Sequence, residues 1–315
     1  MNAFIFPGQG SQKAGMYNLL GDKAKEVDDV FAIAKEVTGR DVLSLCRDAT
    51  EEELKHTFNT QLSVTAMNMA YLKLLENRGI KPFVVAGHSL GQLSALVAAD
   101  VISMFDLFRL VEKRATLMSE VKETGKLATI IGLDKGVVER ACAEVGKYGF
   151  SVKIALENAT RQFVIGGKVA DVDAVLPLIQ SCNPMRIIEI KVSNAFHTNL
   201  MLPMIPAFSE FVNSLTFHEP KTKILLNAKG GYAECAEEIR QDIIMQCEKV
   251  VKWVDCMSLL LSKDLVNVAE VGVGRVLSQL MRGIDSNQRV YCLSVAADFD
   301  KFVSMQNTAT TGVLG

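Results

Sequence analysis

The chain has 315 residues, which is long for one compact unit, so we expect a large domain with a smaller one inserted or appended. Apolar residues make up 49% of the chain and charged residues 22%, which is typical of a soluble protein with a substantial core. The net charge is −2, and the sequence has neither a basic block nor an apolar run of the roughly 20 residues that a bilayer requires. These features argue against nucleic-acid and membrane partners.

Short apolar runs alternate with amphipathic stretches in the first part of the chain, which is the pattern of an α/β protein. Residues 3–6 predict a buried strand that ends at a Pro-Gly turn, and residues 83–86 predict a second buried strand. The amphipathic stretches predict helices over residues 22–38, 62–78, 92–99 and 105–120. The third of these helices follows the second strand directly.

The pattern changes at about residue 125. Strands are predicted over residues 127–132, 152–156, 162–165 and 187–192, and helices over residues 134–145 and 168–181. The resulting order, β-α-β-β-α-β, is the ferredoxin-like arrangement. We therefore expect residues 125–196 to form an inserted, ferredoxin-like α+β small domain.

The α/β pattern resumes after this insertion. Strands are predicted over residues 224–227, 266–270 and 289–293, and helices over residues 235–247 and 275–283. The tail from about residue 304 is polar and predicted to be loose. Residues 1–124 and 197–315 are thus expected to form one large α/β-hydrolase-like domain with a parallel sheet.

Seven cysteines are spread along the chain without a C-x-x-C pair, which favours reduced thiols over disulfides or a zinc site. The four histidines are not spaced as metal ligands on a helix, so we expect no metal. The first residues lead into a Pro-Gly turn without a charged region or a cleavage site of a signal peptide. We therefore expect a cytoplasmic protein.

Ser89 is the candidate nucleophile. It lies in Gly87-His88-Ser89-Leu90-Gly91, between a predicted strand and a predicted helix, as a G-x-S-x-G elbow requires. Such a sharp turn strains the backbone of the serine, and the flanking glycines let the helix and strand approach closely. The hydroxyl would then lie at a helix N-terminus, where N–H groups favour developing negative charge.

A serine nucleophile needs a base, and His197 is the best candidate by elimination. His88 is adjacent to the serine, and a neighbouring side chain on an elbow generally points away from the nucleophile. His56 and His218 lie in charged or turn-like stretches typical of a surface. His197 follows the last strand of the predicted small domain, and clefts form at domain junctions. A packed or surface histidine remains the alternative.

Several separated segments together resemble the malonyl-CoA:acyl-carrier-protein transacylase family, over nearly the full chain. They occur in the family's order and approximate spacing, and they are Phe6-Pro7-Gly8-Gln9-Gly10-Ser11-Gln12, Gly87-His88-Ser89-Leu90-Gly91, Arg114 in Val111-Glu112-Lys113-Arg114, Ala195-Phe196-His197 and Glu270-Val271-Gly272. The start of the chain and the segment around His197 look most similar to the stand-alone acyltransferases that serve polyketide synthases.

The resemblance implies a role for each matching residue. Ser89 would be the acylated nucleophile and His197 its general base, with the carbonyl of Gln246 orienting that histidine. The backbone N–H groups of Gln9 and Leu90 would form an oxyanion hole.

The same resemblance assigns substrate contacts. Arg114 would clamp the free carboxylate of a malonyl group through two parallel hydrogen bonds. Phe196 resembles the bulky ring of malonyl-selecting members, which leaves little room for an α-branch. Asn158 matches a family position near the bound substrate, although an Asn at a strand end is more often a turn residue.

The expected partners are malonyl-CoA and an acyl carrier protein, whose phosphopantetheine thiol accepts the acyl group. No separate cofactor is expected, since the coenzyme A thioester is the substrate. The alternatives are the fatty-acid-synthesis transacylase and a proofreading acyl hydrolase, while a docking module without activity is disfavoured by the intact site. Three positions depart from the family pattern, namely Gln92, Ala115 and Val273.

Overall fold

The computed structural model describes residues 1–190, 194–262 and 267–311. The chain forms an α/β structure with two sheets. The predicted strand ends at residues 191–192 and at residue 266 lie outside the described residues.

The strands in the described part of the chain are β1 (Asn2–Phe6), β2 (Val84–Gly87), β3 (Gly125–Ile131), β4 (Val152–Ala159), β5 (Gln162–Lys168), β6 (Arg186–Ile190), β7 (Lys223–Leu226), β8 (Gly231–Tyr232), β9 (Asn267–Glu270) and β10 (Val290–Cys292). The helices in that part are α1 (Asp28–Thr38), α2 (Val42–Asp48), α3 (Thr57–Glu76), α4 (Leu90–Ala98), α5 (Met104–Glu120), α6 (Lys135–Gly146), α7 (Val169–Ser181), α8 (Ile205–Ser214), α9 (Ala236–Gln246), α10 (Trp253–Leu261), α11 (Val276–Arg282) and α12 (Ala296–Thr311). Segments of 3-10 helix cover Met16–Val27, Glu53–Lys55 and Asn199–Met204.

The larger sheet has the strand order β10-β9-β1-β2-β7-β8, and all of its pairs are parallel except β7–β8. Its strands are apolar on both faces because helices cover both. In β1, Phe4 and Phe6 pack into one core cluster, whereas Ala3 and Ile5 pack into another on the opposite face. Since Phe6 is in register with Gly87, the loops that follow β1 and β2 lie side by side at the carboxyl end of the sheet.

The smaller sheet is antiparallel, in the order β4-β5-β3-β6. One face carries Ala128, Ile130 and Ile165, which pack against α6 and α7. The other face carries Leu127 and Val164 in a separate apolar cluster. Strand β4 is tied to the larger part of the chain, because the Val251 N–H donates to the Ala155 carbonyl at 3.0 Å and the Val251 carbonyl accepts from the Glu157 N–H at 2.9 Å.

Two predictions about local structure were wrong. The described part of the polar tail is helical, because α12 continues to Thr311 from a base where Phe302 is buried against Phe4 and Tyr291. Helix α3 begins at Thr57, earlier than the predicted residue 62, since the polar residues that precede Leu62 include Thr60 and Gln61, which are completely buried. Apolar periodicity gives no signal for buried polar residues of this kind.

Candidate active site

Ser89 lies in the turn between β2 and α4, with φ of 51° and ψ of −110°. This strained backbone is held by close packing around two glycines. A Cβ at Gly87 would lie 2.0 Å from the carbonyl carbon of Gly91, and a Cβ at Gly91 would lie 2.0 Å from the carbonyl oxygen of Phe6. The glycines thus allow α4 to start directly against the two central strands, with Ser89 at its N-terminus.

His197 lies within hydrogen-bond distance of Ser89. Its Nε2 lies 2.7 Å from the Ser89 hydroxyl oxygen, and its Nδ1 lies 2.6 Å from the main-chain carbonyl oxygen of Gln246. A carbonyl can only accept a hydrogen bond, so Nδ1 carries the proton and the Nε2 lone pair faces the hydroxyl. The backbone of His197 has φ of 61° and is fixed by a 3.0 Å hydrogen bond from its N–H to the Cys247 carbonyl.

Burial keeps this imidazole neutral. His197 is 4% exposed, and burial together with the positive charge of Arg114 lowers its pKa to about 3, although the hydrogen bond to Gln246 opposes that shift. A neutral imidazole hydrogen-bonded to a hydroxyl is the arrangement that general-base catalysis requires at neutral pH.

Arg114 projects from α5 and is 3% exposed. Its Nη1 donates to Gln61 Oε1 at 2.8 Å, and its Nη2 lies 3.3 Å from Gln246 Oε1 and 3.4 Å from Ser89 Oγ. The Nε–H has no hydrogen-bond partner, and the guanidinium forms no ion pair within residues 1–190, 194–262 and 267–311. Burial lowers the pKa of Arg114, but a guanidinium stays protonated in proteins, so a cation is buried here without a contacting carboxylate.

A cavity of about 100 Å³ joins these groups. Its walls come from the smaller sheet, from α4 and α5, from the loops after β1 and β2 and from the segment that contains His197. They consist of Gln9, His88, Ser89, Leu90, Arg114, Met118, Leu127, Leu156, Ile190, Phe196 and His197. In the described chain, the main-chain N–H groups of Gln9 and Leu90 donate no hydrogen bond. The cavity therefore brings together a serine hydroxyl, a neutral imidazole, free N–H donors and a buried cation.

Asn158 does not line this cavity. It is buried, and its Oδ1 accepts a 2.8 Å hydrogen bond from Nε2 of His88, whose ring also contacts Trp253 edge-on. The His88 ring thus hydrogen-bonds to Asn158, whereas the Ser89 hydroxyl hydrogen-bonds to His197, in agreement with the expectation that the adjacent histidine is not the base. A substrate role for Asn158 stays a prediction.

The site also contains polar residues that the sequence reasoning did not identify. Gln61 contacts Arg114, and Asn227 Oδ1 accepts the Ser89 N–H at 2.7 Å. Asp242, on α9, accepts a hydrogen bond from Gln92. Gln61 and Asp242 have polar neighbours in the sequence and Asn227 ends a predicted strand, so each resembles an ordinary solvated polar residue.

Two further findings concern ligand and membrane sites. Among the described residues there is no group of three or more His, Cys, Asp or Glu side chains placed to hold a metal ion. None of the described helices combines the length and the apolar character needed to span a bilayer.

The acyl transferase domain family matches residues 3–252, and the chain belongs to this family. Among characterised relatives, it is 34% identical to the polyketide biosynthesis malonyl CoA-acyl carrier protein transacylase PksC of Bacillus subtilis (strain 168), over 90% of this chain and 97% of that protein. It is 29% identical to the malonyl CoA-acyl carrier protein transacylase of Staphylococcus aureus (strain MW2), over 94% of this chain and 96% of that protein.

Solved structures of the same kind superpose closely. The malonyl-CoA:acyl carrier protein transacylase of Xanthomonas oryzae pv. oryzae KACC10331 has a TM-score of 0.91 at 34% identity, over 97% of this chain and 99% of that one. A malonyl-transacylase solved in complex with its type II polyketide-synthase acyl-carrier protein has a TM-score of 0.92 at 32% identity, over 96% of this chain and 98% of that one.

Proposed function

We propose that this protein transfers malonyl from malonyl-CoA to the phosphopantetheine thiol of an acyl carrier protein, through a malonyl ester on Ser89. The names of its relatives support the activity. The observation that carries the substrate assignment is the buried guanidinium of Arg114. It contacts no carboxylate among the described residues and lies 3.4 Å from the Ser89 hydroxyl oxygen. A malonyl carboxylate would supply the missing negative charge.

In the first half-reaction, His197 Nε2 removes the proton of the Ser89 hydroxyl while Oγ attacks the thioester carbonyl. The N–H groups of Gln9 and Leu90 stabilise the resulting oxyanion. Collapse of the tetrahedral intermediate breaks the C–S bond, and the protonated His197 returns its proton to the leaving thiol of coenzyme A. Serine is left as the malonyl ester.

The second half-reaction runs the same steps in reverse order. His197 takes the proton of the carrier protein's thiol, the sulfur attacks the ester carbonyl, and the Ser89 oxygen leaves with that proton. The Gln246 carbonyl holds the imidazole in the required tautomer throughout. No cofactor enters either step, because both thiols belong to substrates.

Arg114 determines the acyl group in this proposal. It would clamp the carboxylate through two parallel hydrogen bonds, which positions the thioester carbonyl over Ser89. Phe196 lines the same small cavity and would restrict substitution at the α-carbon. Asn158 would act only indirectly, through His88.

We further propose a two-domain organisation for this chemistry. Residues 1–124 and 197–315 would form an α/β-hydrolase-like domain that holds the nucleophile, base and cation. Residues 125–196 would form a ferredoxin-like small domain, which supplies Leu127, Leu156 and Ile190 to the cavity wall. The β3-α6-β4-β5-α7-β6 order and the antiparallel pairing support this description.

The experiment is a comparison of acceptors. The purified protein is mixed with malonyl-CoA and with either a polyketide-synthase carrier protein, a fatty-acid carrier protein or no acceptor. Malonyl transfer to a carrier protein, with slow release of malonate when no acceptor is present, supports the transferase. Because one relative serves polyketide biosynthesis, we expect the polyketide carrier to be the faster acceptor. Rapid release of malonate, unaffected by carrier protein, contradicts the proposal and indicates an acyl hydrolase.

A further inference from the structure

A chain of hydrogen bonds leads from Arg114 away from the cavity to a buried carboxylate. Arg114 Nη2 lies 3.3 Å from Gln246 Oε1, Gln246 Nε2 donates to Gln92 Oε1 at 2.9 Å, and Gln92 Nε2 donates to Asp242 Oδ2 at 2.8 Å. All four side chains are at most 3% exposed. We call the side chains of Gln246 and Gln92 the amide chain.

The two ends fix the direction of the amide chain. A guanidinium has only donors, and Asp242 is surrounded by donors, since its oxygens accept from Gln92 Nε2 and from the main-chain N–H groups of Lys229 at 2.8 Å and Ala228 at 3.4 Å. Each amide therefore has one satisfied orientation, with its oxygen toward Arg114 and its NH₂ toward Asp242. Reversal of either amide would place two donors face to face.

Side branches depend on the same orientation. Gln92 Oε1 also accepts the main-chain N–H of Asn227 at 3.0 Å, and Gln246 Nε2 also donates to the Ser89 carbonyl at 3.1 Å. A reversed amide chain would leave these buried groups unpaired. It would also direct the NH₂ of Gln246 at Arg114, whose Nη2 is the donor nearest to Ser89 Oγ.

We propose that Asp242 is a positioning and specificity-determining residue for malonyl transfer, which acts by orienting the amide chain beneath Arg114. This inference rests on the proposed function. Asp242 supplies negative charge two amides away from the cation, so it helps to hold the buried guanidinium without occupying the donors that face the substrate. A carboxylate in direct contact with Arg114 would compete with the carboxylate of malonyl.

The base is insulated from this effect. His197 is oriented by the main-chain carbonyl of Gln246, and that carbonyl belongs to the last residue of α9. A change in the side-chain orientation of Gln246 leaves that carbonyl in place. Disturbing Asp242 should therefore impair recognition of malonyl much more than acyl transfer to Ser89 in general.

Three variants test the inference by single-turnover acylation with malonyl-CoA and with acetyl-CoA. Asp242→Asn places an NH₂ among donors and favours the reversed chain. Gln92→Glu places two carboxylates in contact, which disfavours the charged form of both. Asp242→Asn combined with Gln92→Glu restores the direction of every hydrogen bond along the amide chain and gives up only the 3.4 Å contact from the Ala228 N–H to Asp242 Oδ2. In that double variant the introduced carboxylate accepts from Gln246, from Asn227 and from the introduced amide, whose own oxygen accepts the Lys229 N–H.

The matched control is Glu237→Gln, which removes a carboxylate from the exposed side of α9. Each single site variant should lose malonyl acylation by at least about 10-fold, the scale of one lost buried partner, with acetyl acylation changed less than about 3-fold. The double variant should return to within about 3-fold of the native rate, and the control should match the native protein. Equal losses for the two substrates, a native malonyl rate in Asp242→Asn, or no recovery in the double variant would each overturn the inference.

Two safeguards keep the outcomes distinct. If Asp242→Asn does not fold, the double variant still decides, since the inference requires it to fold and to accept malonyl. If the native protein itself acquires no malonyl group, that result contradicts the proposed function and is distinct from a result that contradicts the role of Asp242.

Discussion

Arg114 Nη2 and Ser89 Oγ are 3.4 Å apart, so a buried cation and the proposed nucleophile share one small cavity. The guanidinium is 3% exposed and contacts amide oxygens of Gln61 and Gln246, with no ion pair in the described part of the chain. Burying a charge without a counter-charge is costly, and an anionic substrate offsets that cost. In the proposed function, this relationship links the fold to the choice of acyl group.

Arg114→Ala should therefore reverse the substrate preference. Loss of one side of a buried, charge-assisted pair typically costs about 2–5 kcal/mol, or roughly 30-fold to several thousand-fold, in malonyl transfer. Acetyl-CoA has no carboxylate and should lose nothing. Arg114→Lys should recover only part of the loss, since a point charge cannot reproduce the fork of the guanidinium. Matched losses for both substrates, measured by acylation rates, would mean that Arg114 is structural.

Removal of the base should have a large effect at one histidine only. His197→Ala should lower the rate of Ser89 acylation by roughly 10²–10⁴, the usual contribution of a positioned general base. His56→Ala and His218→Ala are the matched controls, because both side chains are exposed, and their rates should be native. Comparable losses in all three variants would contradict the assignment of the base.

The acylation rate should be insensitive to pH where histidine normally titrates. Only the neutral imidazole can accept the Ser89 proton, and the pKa of His197 is lowered to about 3. The base therefore stays neutral well below the usual histidine pKa of about 6.5, and kcat/KM for malonyl-CoA should change less than about 2-fold from about pH 8 to about pH 5. Circular dichroism at each pH verifies folding. A fall in rate centred between about pH 6 and 7 would show that His197 titrates normally.

The elbow can be tested through stability. In Gly91→Ala the new Cβ would lie 2.0 Å from the Phe6 carbonyl oxygen, so β1 and α4 must separate, and the free energy of unfolding should fall by roughly 3 kcal/mol or more. Gly146→Ala is the control, since its Cβ would contact nothing within 4 Å beyond its neighbours and the backbone of its own helix, and it ends α6. It should be neutral or stabilising by up to about 1 kcal/mol in urea unfolding. Similar changes in the free energy of unfolding for the two variants would contradict close packing as the reason for a glycine at position 91.

The sequence predicted those parts of the site that local patterns report. Gly87-His88-Ser89-Leu90-Gly91 predicted a strand-turn-helix, and the structure has β2 and α4 on either side of Ser89. The order of elements from residue 125 predicted four strands and two helices, which the structure contains with shifted ends. Apolar periodicity is enough to predict these elements, because the helices are amphipathic and the strands are short apolar runs.

The rest of the site depends on tertiary contacts between polar residues. Gln61 and Asp242 lie on helices where a polar residue normally indicates solvent, and both are at most 1% exposed. Asp242 meets Gln92 only because the tertiary fold brings a residue of α9 to the start of α4, at a separation of 150 residues. Gln92 was visible in the sequence as a departure from the family pattern, but the carboxylate with which it pairs was not.

The most direct test of the account is the location of the acyl group. The protein is mixed with malonyl-CoA without an acceptor, its intact mass is measured, and the modified peptide is sequenced by mass spectrometry. We predict one malonyl group per chain, on Ser89, and none on Ser89→Ala. A malonyl group that persists on Ser89→Ala, or that maps to another residue of the native protein, would contradict the account.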